Sequence, residues 1–323
     1  VFPPNREAAG RFSLSIPPPM EGNTPAEGSP RHSSYVFVFS FFLALQSSFS
    51  TEASAGTELQ ILLNLKTALH ESNTDAFDSW NEGNFKCNFT GIRCSPDFAV
   101  TEIELPNMQL AGPLPINRIC QLRSLEKLAV GHNSLRGRIS PDLNHCVRLK
   151  YLDLAHNLFT GPFPPIPSLN GLRFLYLNHT GISGTFPWQS LNNMTKILRV
   201  LSVGDTFLDR APFPVVVTHC FNLILLYLSN CSIQGRIPAG IGNLTRLGNL
   251  ELANNHLSGQ IPSEIGKLSN LWQLELYNNS FTGKFPIGLR NLTNLQFFDA
   301  SMNNLVGDLS ELRFLSNLVS LQV

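Results

Sequence analysis

Three consecutive segments of the chain share one arrangement of apolar residues, glycine and proline. They begin at Leu223, Leu247 and Leu271, 24 residues apart, and read LILLYLSNCSIQGRIP, LGNLELANNHLSGQIP and LWQLELYNNSFTGKFP. With the first leucine as offset 0, each has apolar residues at offsets 0, 3, 5, 10 and 14, glycine at offset 12 and proline at offset 15. A period in the twenties predicts a solenoid, because one coil cannot bury its own apolar face and stacked coils bury each other's.

Each repeat is expected to contribute one short strand. Leu250 and Leu252 alternate with polar or small neighbours, which is strand periodicity with one buried and one exposed face. Asn255 follows where the chain turns away, and its amide is expected to satisfy backbone groups inside the solenoid. Gly259 permits the next tight bend. The sequence therefore predicts an α/β solenoid, a right-handed leucine-rich repeat horseshoe or superhelix with about 24 residues per coil.

We assign residues 100–323 to nine repeats and a truncated tenth. The nine begin at Val100, Leu125, Leu149, Leu172, Leu198, Leu223, Leu247, Leu271 and Leu295, and the tenth begins at Leu318 and is cut off at Val323. The fifth repeat is the least regular, because Arg210 replaces the glycine and Pro212-Phe213-Pro214 shortens the following turn. A local kink or a ligand contact would fit this departure, but we expect a tolerated irregularity, since loops absorb variation readily.

Residues 1–55 are expected to lie outside the solenoid. Residues 1–19 have no initiator methionine and are rich in Pro, Ser and Arg, which indicates an untranslated leader or a gene-model extension, with a disordered tail as the alternative. Residues 20–55 have the features of a secretory signal peptide, with Arg31 and His32 before the apolar run YVFVFSFFLAL and Ala53-Ser54-Ala55 as the cleavage site. The apolar run spans about 16 Å as a helix, too short for about 30 Å of hydrocarbon. A non-cleaved anchor is the alternative.

Residues 56–99 are predicted to form an N-terminal helical cap. The segment 57–70 (TELQILLNLKTALH) has leucines at helical intervals, and an amphipathic helix there would cover the open core of the first coil. Cys87 and Cys94 lie close together just before the first repeat, which in a secreted chain favours a disulfide. The alternative, a zinc site, lacks further Cys or His ligands nearby.

These segments also resemble a known family. The run LLNLKTAL, then Asp78-Ser79-Trp80, then CNFTGIRC look like the N-terminal cap of plant leucine-rich repeat receptor kinases, with Phe89 where many such caps have tryptophan. The later segments LYLSNCSIQGRIPAGIGNLT, LWQLELYNNSFTGKFP and GDLSELRFLSNLVSLQ resemble the HAIKU-type peptide-receptor kinases of flowering plants. The resemblance covers the chain from about residue 57 to residue 323.

The resemblance implies a plasma-membrane receptor that enters the secretory pathway. Its ectodomain would bind a secreted peptide on the concave strand face, and a cytoplasmic Ser/Thr kinase absent from this chain would signal. A shorter leucine-rich repeat co-receptor kinase would bind through repeats beyond Val323, and a transmembrane helix there would supply the only membrane contact. Two alternatives are a soluble secreted inhibitor of a cell-wall enzyme and a kinase-less receptor-like protein.

Seven Asn-x-Ser/Thr sequons fit a secreted surface protein, and each is a candidate glycosylation site. They begin at Asn88, Asn178, Asn193, Asn230, Asn243, Asn278 and Asn291. The sequons at Asn178, Asn230 and Asn278 fall at or just past a strand. A glycan there would crowd a concave binding face, so we expect these three sites to be used less.

The sequence carries no constellation of catalytic residues. It has no Gly-rich phosphate loop, no kinase catalytic-loop signature and no Gly-x-Ser-x-Gly motif, so we expect neither enzymatic activity nor a cofactor in this segment. The net charge is zero, which does not suggest nucleic-acid binding. His132, His156 and His179 share offset 7 and are expected to stack about 5 Å apart. We favour a solvated ladder over a metal site, because no carboxylate at this offset in these coils completes a shell.

Four further cysteines lie within the repeats. Three of them precede the apolar core of the next coil, namely Cys120, Cys146 and Cys220. The fourth, Cys231, lies at offset 8, the position that Asn255 occupies in the next repeat. We expect all four to be buried thiols, although a Cys120–Cys146 bridge between neighbouring coils is geometrically possible.

The outward-facing strand positions, offsets 2 and 4, are the most informative for function. Offset 4 reads Glu104, Ala129, Asp153, Tyr176, Ser202, Tyr227, Glu251, Glu275 and Asp299. Offset 2 reads Glu102, Lys127, Tyr151, Phe174, Val200, Leu225, Asn249, Gln273 and Phe297. Aromatic side chains with an acidic lining suit an extended, basic, proline-containing peptide, whereas the simplest alternative is an ordinary polar solenoid face.

From these columns we predict a peptide-binding site. Its contact area is expected to come from aromatic side chains and its attraction for Arg and Lys from three stacked carboxylates. The predicted ligand-binding residues are Phe174, Tyr176, Tyr227, Glu251, Glu275, Tyr277 and Asp299.

Overall fold

A computed structural model describes residues 57–69 and 75–323. The leader and signal peptide that we assign to residues 1–19 and 20–55 lie outside the described residues. The first element is a helix over residues 57–69, here called α1, and its span matches the predicted cap helix to within one residue. Of all the helices in the described residues, none has the length and apolar character that a membrane crossing requires.

Short strands recur at every repeat. They are β1 (Ile92–Cys94), β2 (Val100–Glu104), β3 (Ala111–Pro113), β4 (Lys127–Ala129), β5 (Ser134–Gly137), β6 (Tyr151–Asp153), β7 (Leu158–Gly161), β8 (Phe174–Tyr176), β9 (Gly181–Gly184), β10 (Val200–Ser202), β11 (Phe207–Leu208), β12 (Ala211–Pro212), β13 (Leu225–Tyr227), β14 (Ile233–Gly235), β15 (Asn249–Glu251), β16 (His256–Gly259), β17 (Gln273–Glu275), β18 (Ser280–Gly283), β19 (Phe297–Asp299), β20 (Asn304–Leu305) and β21 (Ser320–Gln322).

The main sheet runs through all the repeats. In the described residues it has eleven strands, in the order β1-β2-β4-β6-β8-β10-β13-β15-β17-β19-β21. Strands β2 to β21 of this sheet pair in parallel and in register, so that Leu226, Leu250 and Leu274 are Cα partners across neighbouring coils. The predicted leucine-rich repeat solenoid is confirmed, and we call the outward side of this sheet, formed by offsets 2 and 4, the strand face.

The fifth repeat interrupts a second layer of strands. One five-stranded sheet has the order β11-β9-β7-β5-β3, and another has the order β12-β14-β16-β18-β20. They are separated only by Asp209 and Arg210, which lie between β11 and β12. The irregular repeat therefore divides this layer while the main sheet continues across it through β10.

The return paths of the described coils, except that of the third, contain short helices that close the apolar core. They are the helix α2 (Ile116–Ile119) and 3-10 turns at Pro141–His145, Trp188–Met194, Val215–His219, Ala239–Asn243, Ser263–Lys267, Ile287–Asn291 and Leu312–Phe314. The cap contributes two more turns, Asp75–Phe77 and Lys86–Asn88. One continuous cluster of buried side chains extends from the cap to Leu315, so each coil is stabilised by its neighbours.

The offset-8 asparagines satisfy backbone groups where the chain leaves the main sheet. Asn255 Nδ2 donates to the carbonyls of Leu228 (2.8 Å) and Leu252 (3.0 Å), and its Oδ1 accepts from the backbone N–H groups of Cys231 (3.1 Å) and Ile233 (2.9 Å). The predicted role of Asn255 is confirmed. The same arrangement recurs at Asn133, Asn157, Asn279 and Asn303.

The cap is tied to the first coil by buried side chains. Cys87 and Cys94 form the predicted disulfide, and the fully buried Trp80 stacks on Phe89 with ring centroids 5.4 Å apart. Glu58 on α1 accepts from the backbone N–H of Val100 at 3.2 Å and pairs with Lys86 at 3.4 Å. Because Glu58 is held by the N–H of the first repeat strand, α1 is fixed against the solenoid end.

One prediction about the cysteines was wrong. Cys120 and Cys146, which we expected to be buried thiols, form a second disulfide with a Cα–Cα distance of 4.7 Å. Both lie on the return path, where α2 and the turn Pro141–His145 stack in adjacent coils and bring the two Cα atoms within bonding range. Cys220 and Cys231 are free and buried, as expected.

Candidate ligand-binding face

Aromatic side chains cluster on the strand face in the third and fourth coils. Phe174 and Tyr176 both project from β8, and the ring centroid of Tyr151, on β6, lies 5.5 Å from each of theirs. Lys127 Nζ lies 5.1 Å from the Tyr151 ring centroid. Burial raises the pKa of Tyr176 to about 12, so its hydroxyl stays protonated and available as a donor. Tyr151 was not among our predicted site residues, although its column position signalled it.

Tyr227 is held toward the preceding coil. Its hydroxyl donates to Asp205 Oδ2, which also lies 3.3 Å from His179 Nε2. The ring lies across Gly204, where a Cβ atom would come within 2.7 Å of it. Burial and the Asp205 carboxylate raise the pKa of Tyr227 well above its usual value. Tyr227 is thus a positioned, half-buried platform, and Asp205 and Gly204 are positioning residues that sequence reasoning missed.

The three histidines at offset 7 form the predicted ladder. The rings of His132 and His156 are 4.0 Å apart with an interplanar angle of 13°, and those of His156 and His179 are 4.3 Å apart with an angle of 29°. Lone pairs of imidazole lie in the ring plane, so stacked rings do not converge on one ion. Within the described residues no group of three or more His, Cys, Asp or Glu side chains is arranged to hold a metal.

The predicted carboxylates form one column in the seventh to ninth coils. Glu251, Glu275 and Asp299 are Cα partners in successive parallel strands. Glu251 Oε1 accepts from Asn249 Nδ2 at 2.7 Å, and Asp299 Oδ1 accepts from the hydroxyl of Ser301 at 2.6 Å. We call these three carboxylates the acidic strip.

Burial disfavours charge on the two glutamates of the acidic strip. It raises the pKa of Glu251, and it raises the pKa of Glu275 from its usual 4.5 to about 7, with the neighbouring Asp299 adding repulsion. No lysine or arginine forms an ion pair with these three carboxylates in the described part of the chain. A bound cation would therefore offset the free-energy cost of ionising these partly buried carboxylates in the folded protein.

We expect Glu275→Gln to raise the melting temperature above pH 7 and to change it little below pH 4.5. The folded protein retains a proton that the unfolded chain loses between those pH values, so this site's contribution to stability falls as pH rises through that window. Glutamine removes the charge. Melting curves across pH are the measurement, with Glu82→Gln in the exposed cap as the control. An unchanged difference between wild type and Glu275→Gln across the range would contradict the burial effect.

Some members of the two columns are not exposed. Ala129, Val200, Ser202 and Asn249 are buried, contrary to our treatment of offsets 2 and 4 as exposed positions. All three residues of β10 are buried. Beside β10 the larger residues Phe174 and Tyr227 are the Cα partners of Val200 and Ser202, respectively.

Tyr277 lies apart from the strand columns. It follows β17 at offset 6, and its hydroxyl accepts from Asn254 Nδ2 at 2.8 Å. Asn254 in turn accepts from Asn278 Nδ2 at 2.7 Å. The structure therefore places Tyr277 at the edge of the strand face, on the side where the chain turns away.

The sequons differ in accessibility. Asn88, Asn193, Asn230, Asn243, Asn278 and Asn291 are exposed. Asn178 is buried, with Oδ1 accepting from Ser202 Oγ at 2.7 Å and Nδ2 lying 3.4 Å from His156 Nε2. A glycan on Asn178 would have to displace these contacts, and glycosylation of the other six stays a prediction.

Family profiles match much of the described chain. A profile described as Leucine rich repeat N-terminal domain matches residues 55–95, and one described as Leucine Rich Repeat matches residues 148–169, 222–244, 246–268 and 270–292. These matches cover the cap, the third coil with Tyr151, and the sixth to eighth coils, which carry Tyr227, Glu251 and Glu275.

Two curated relatives from Arabidopsis thaliana are similar over most of the repeats. Receptor-like protein kinase 7 is 54% identical over 220 residues, covering 67% of this chain and 22% of that protein. Receptor-like protein kinase HAIKU2 is 51% identical over 207 residues, covering 61% of this chain and 20% of that protein. The chain thus spans about a fifth of the length of these relatives.

A solved structure shares the fold. The Arabidopsis receptor kinase HAESA, in complex with the peptide hormone IDA and the co-receptor SERK1, matches with a TM-score of 0.65 and 32% identity. The match covers 76% of this chain and 46% of that chain. The resemblance stated from the sequence is therefore supported both by sequence relatives and by a structure.

Proposed function

Because this chain belongs to the leucine-rich repeat ectodomains of plant receptor-like kinases, we propose that it binds a secreted, basic peptide along the strand face. The observation that carries the proposal is the acidic strip. Glu251, Glu275 and Asp299 stack in register without a cation from the described chain. Like charges in adjacent strands are destabilising, so a basic partner accounts for their alignment better than stability does.

The geometry suits an extended chain. Strands about 4.8 Å apart place the acidic strip over about 10 Å, which is the length of about three residues of extended peptide. Tyr227 lies one coil before Glu251 in register, and β8, with Phe174 and Tyr176, lies two coils before Tyr227. A peptide along this line would place Arg or Lys on the carboxylates and proline rings or apolar side chains on the aromatic platforms.

We further place this segment at the extracellular face of the plasma membrane, reached by the secretory pathway. Signalling would proceed through a Ser/Thr kinase outside this chain, since the similar proteins are receptor kinases. The HAESA complex contains both a peptide hormone and a co-receptor, which supports a co-receptor kinase as a second partner. Repeats beyond Val323 would make that contact.

The test is charge reversal of the acidic strip by Glu251→Lys with Glu275→Lys. The probe is a fluorescent proline-rich peptide that carries a run of arginines. We expect its affinity to fall by about tenfold or more, and its salt dependence to shrink, because two carboxylates no longer attract it. Binding titrations at several salt concentrations are the measurement, and thermal melts establish that the variant is folded.

A matched control reverses two carboxylates away from the strand face. Glu82→Lys with Glu264→Lys makes the same change in net charge on the cap and on the return path. This control is expected to retain most of the affinity. Equal binding by wild type and the folded acidic-strip variant would remove the strip from the mechanism.

A further inference from the structure

Three cations stack beside the strand face in the coils that carry the aromatic cluster. Lys150, Arg173 and Arg199 occupy offset 1, directly before β6, β8 and β10. Backbone hydrogen bonds join them in register, from Arg173 N to Lys150 O at 2.8 Å and from Arg199 N to Arg173 O at 2.7 Å. Successive members are therefore one strand spacing, about 4.8 Å, apart. We call these three residues the basic column.

Two of these cations have no counter-charge within the part of the chain that the structure describes. Lys150 pairs with Glu126 at 2.6 Å, which ends the column on one side. Neither guanidinium of Arg173 or Arg199 has an ion pair among residues 57–69 and 75–323, and the offset-1 residue of the next coil is Ile224. Arg173 is exposed and Arg199 is half-buried. Like charges held one strand apart without a carboxylate repel, as in the acidic strip.

The basic column borders the strand face. Trp272, an offset-1 residue further along the sheet, shows the geometry. Its indole lies across Gly248, and its ring centroid is 6.2 Å from that of Phe297, an offset-2 residue of the next coil. Offset-1 side chains thus lie alongside the offset-2 side chains. By the same register, Arg173 directly precedes β8, which carries Phe174 and Tyr176, and Arg199 directly precedes the neighbouring strand β10.

We propose that Arg173 and Arg199 bind carboxylates in an acidic segment of the same peptide whose basic segment binds the acidic strip. The inference rests on the proposed function and adds that the ligand is dipolar. The planar fork of an arginine matches a carboxylate in a two-bond geometry, which favours Asp, Glu or a terminal carboxylate as the partner.

The spacing of the two charged regions sets the spacing of charges in the peptide. From Arg173 and Arg199, in the fourth and fifth coils, to Glu275, in the eighth, is three to four strand spacings, or about 14–19 Å. An extended chain spans this distance with about four to six residues. The aromatic platform of Tyr227 lies between the two charged regions and would contact this intervening segment.

The test uses three fluorescent peptides of equal length and the full chain produced by secretion. The dipolar peptide carries a run of glutamates, a spacer of about six Pro, Ser and Gly residues, and a run of arginines, made in both chain orders. In the second peptide glutamine replaces the glutamates, and in the third glutamine replaces the arginines. We expect the better dipolar order to bind about tenfold tighter than the glutamine–arginine peptide at low salt.

Two variants isolate the basic column. Arg173→Glu with Arg199→Glu is expected to abolish the advantage of the dipolar peptide while leaving the affinity of the glutamine–arginine peptide within about twofold. Arg173→Gln with Arg199→Gln adds no negative charge and replaces the first variant if that variant fails to fold. It should abolish most of the affinity advantage of the dipolar peptide. The control, Arg246→Glu with Lys267→Glu, makes the same charge change at exposed return-path positions and should retain the advantage.

The outcomes separate the two proposals. If the glutamine–arginine peptide binds the wild-type chain as tightly as the dipolar peptide, the dipolar inference is wrong and the basic-peptide proposal stands. The same holds if the dipolar peptide binds more tightly but keeps this advantage in the Arg173 and Arg199 variants. If no arginine-bearing peptide binds the wild-type chain, both are overturned. Loss of the advantage only in the basic-column variants supports the inference.

Discussion

Truncation of Leu250 to alanine is expected to lower the free energy of unfolding by about 2–5 kcal/mol. Leu250 is fully buried at the centre of β15 and lies in register between Leu226 and Leu274 of the adjacent coils. The substitution removes apolar atoms from a core that neighbouring coils share, and the in-register backbone restricts collapse of the cavity. The loss therefore affects both interfaces of the coil, which in a solenoid carry most of the stability.

Urea unfolding followed by circular dichroism measures this effect. Leu274→Ala, in the next coil, should behave alike because its burial and register are the same. Lys267→Ala, at an exposed return-path position, should change stability by less than about 0.5 kcal/mol. A loss below about 1 kcal/mol for both leucine variants would contradict the shared core.

Removal of the Cys120–Cys146 disulfide is expected to cost about 3 kcal/mol. The bridge closes a loop with a sequence separation of 26 residues, and loops of this length restrict the unfolded chain by about that amount. It also joins the return paths of the first two coils, next to the cap. Its loss should therefore loosen the N-terminal coils more than the coils near the acidic strip.

The variant is Cys120→Ala with Cys146→Ala, and the measurement is its unfolding midpoint against that of wild type. Cys220→Ala is the matched control, since it also removes a buried sulfur from a return path but breaks no bridge. A double variant that loses no more stability than Cys220→Ala would show that the bridge adds nothing beyond buried sulfur.

The periodic part of the structure was predictable from the sequence. The 24-residue spacing of Leu223, Leu247 and Leu271 determines which residues become neighbours, and the parallel registers of β13, β15 and β17 follow from it. The role of Asn255 was predictable for the same reason, because an offset-8 asparagine meets equivalent backbone groups in every coil that carries one. Solenoid neighbours are local in sequence, so a repeat pattern carries the contacts directly.

The rest depends on side-chain conformation and size. The sequence did not reveal that Tyr227 folds back over Gly204 to Asp205, because this contact joins different offsets in different coils. It also led us to expect two thiols at Cys120 and Cys146, because the bridge depends on how closely the two return paths approach. The burial of all three residues of β10, at offsets 2 to 4 like the partly exposed strands beside it, was not predicted either.

Crosslinking of a bound peptide tests most directly whether ligands occupy the strand face. The probe is the arginine-bearing peptide with a photoreactive residue beside the arginines, irradiated with the full chain, and the attachment sites are located by mass spectrometry. We expect attachment within β13, β15, β17 and β19, at or beside Tyr227, Glu251, Glu275 and Asp299. Attachment on the return-path turns, such as Ser263–Lys267, with none on these strands would contradict it.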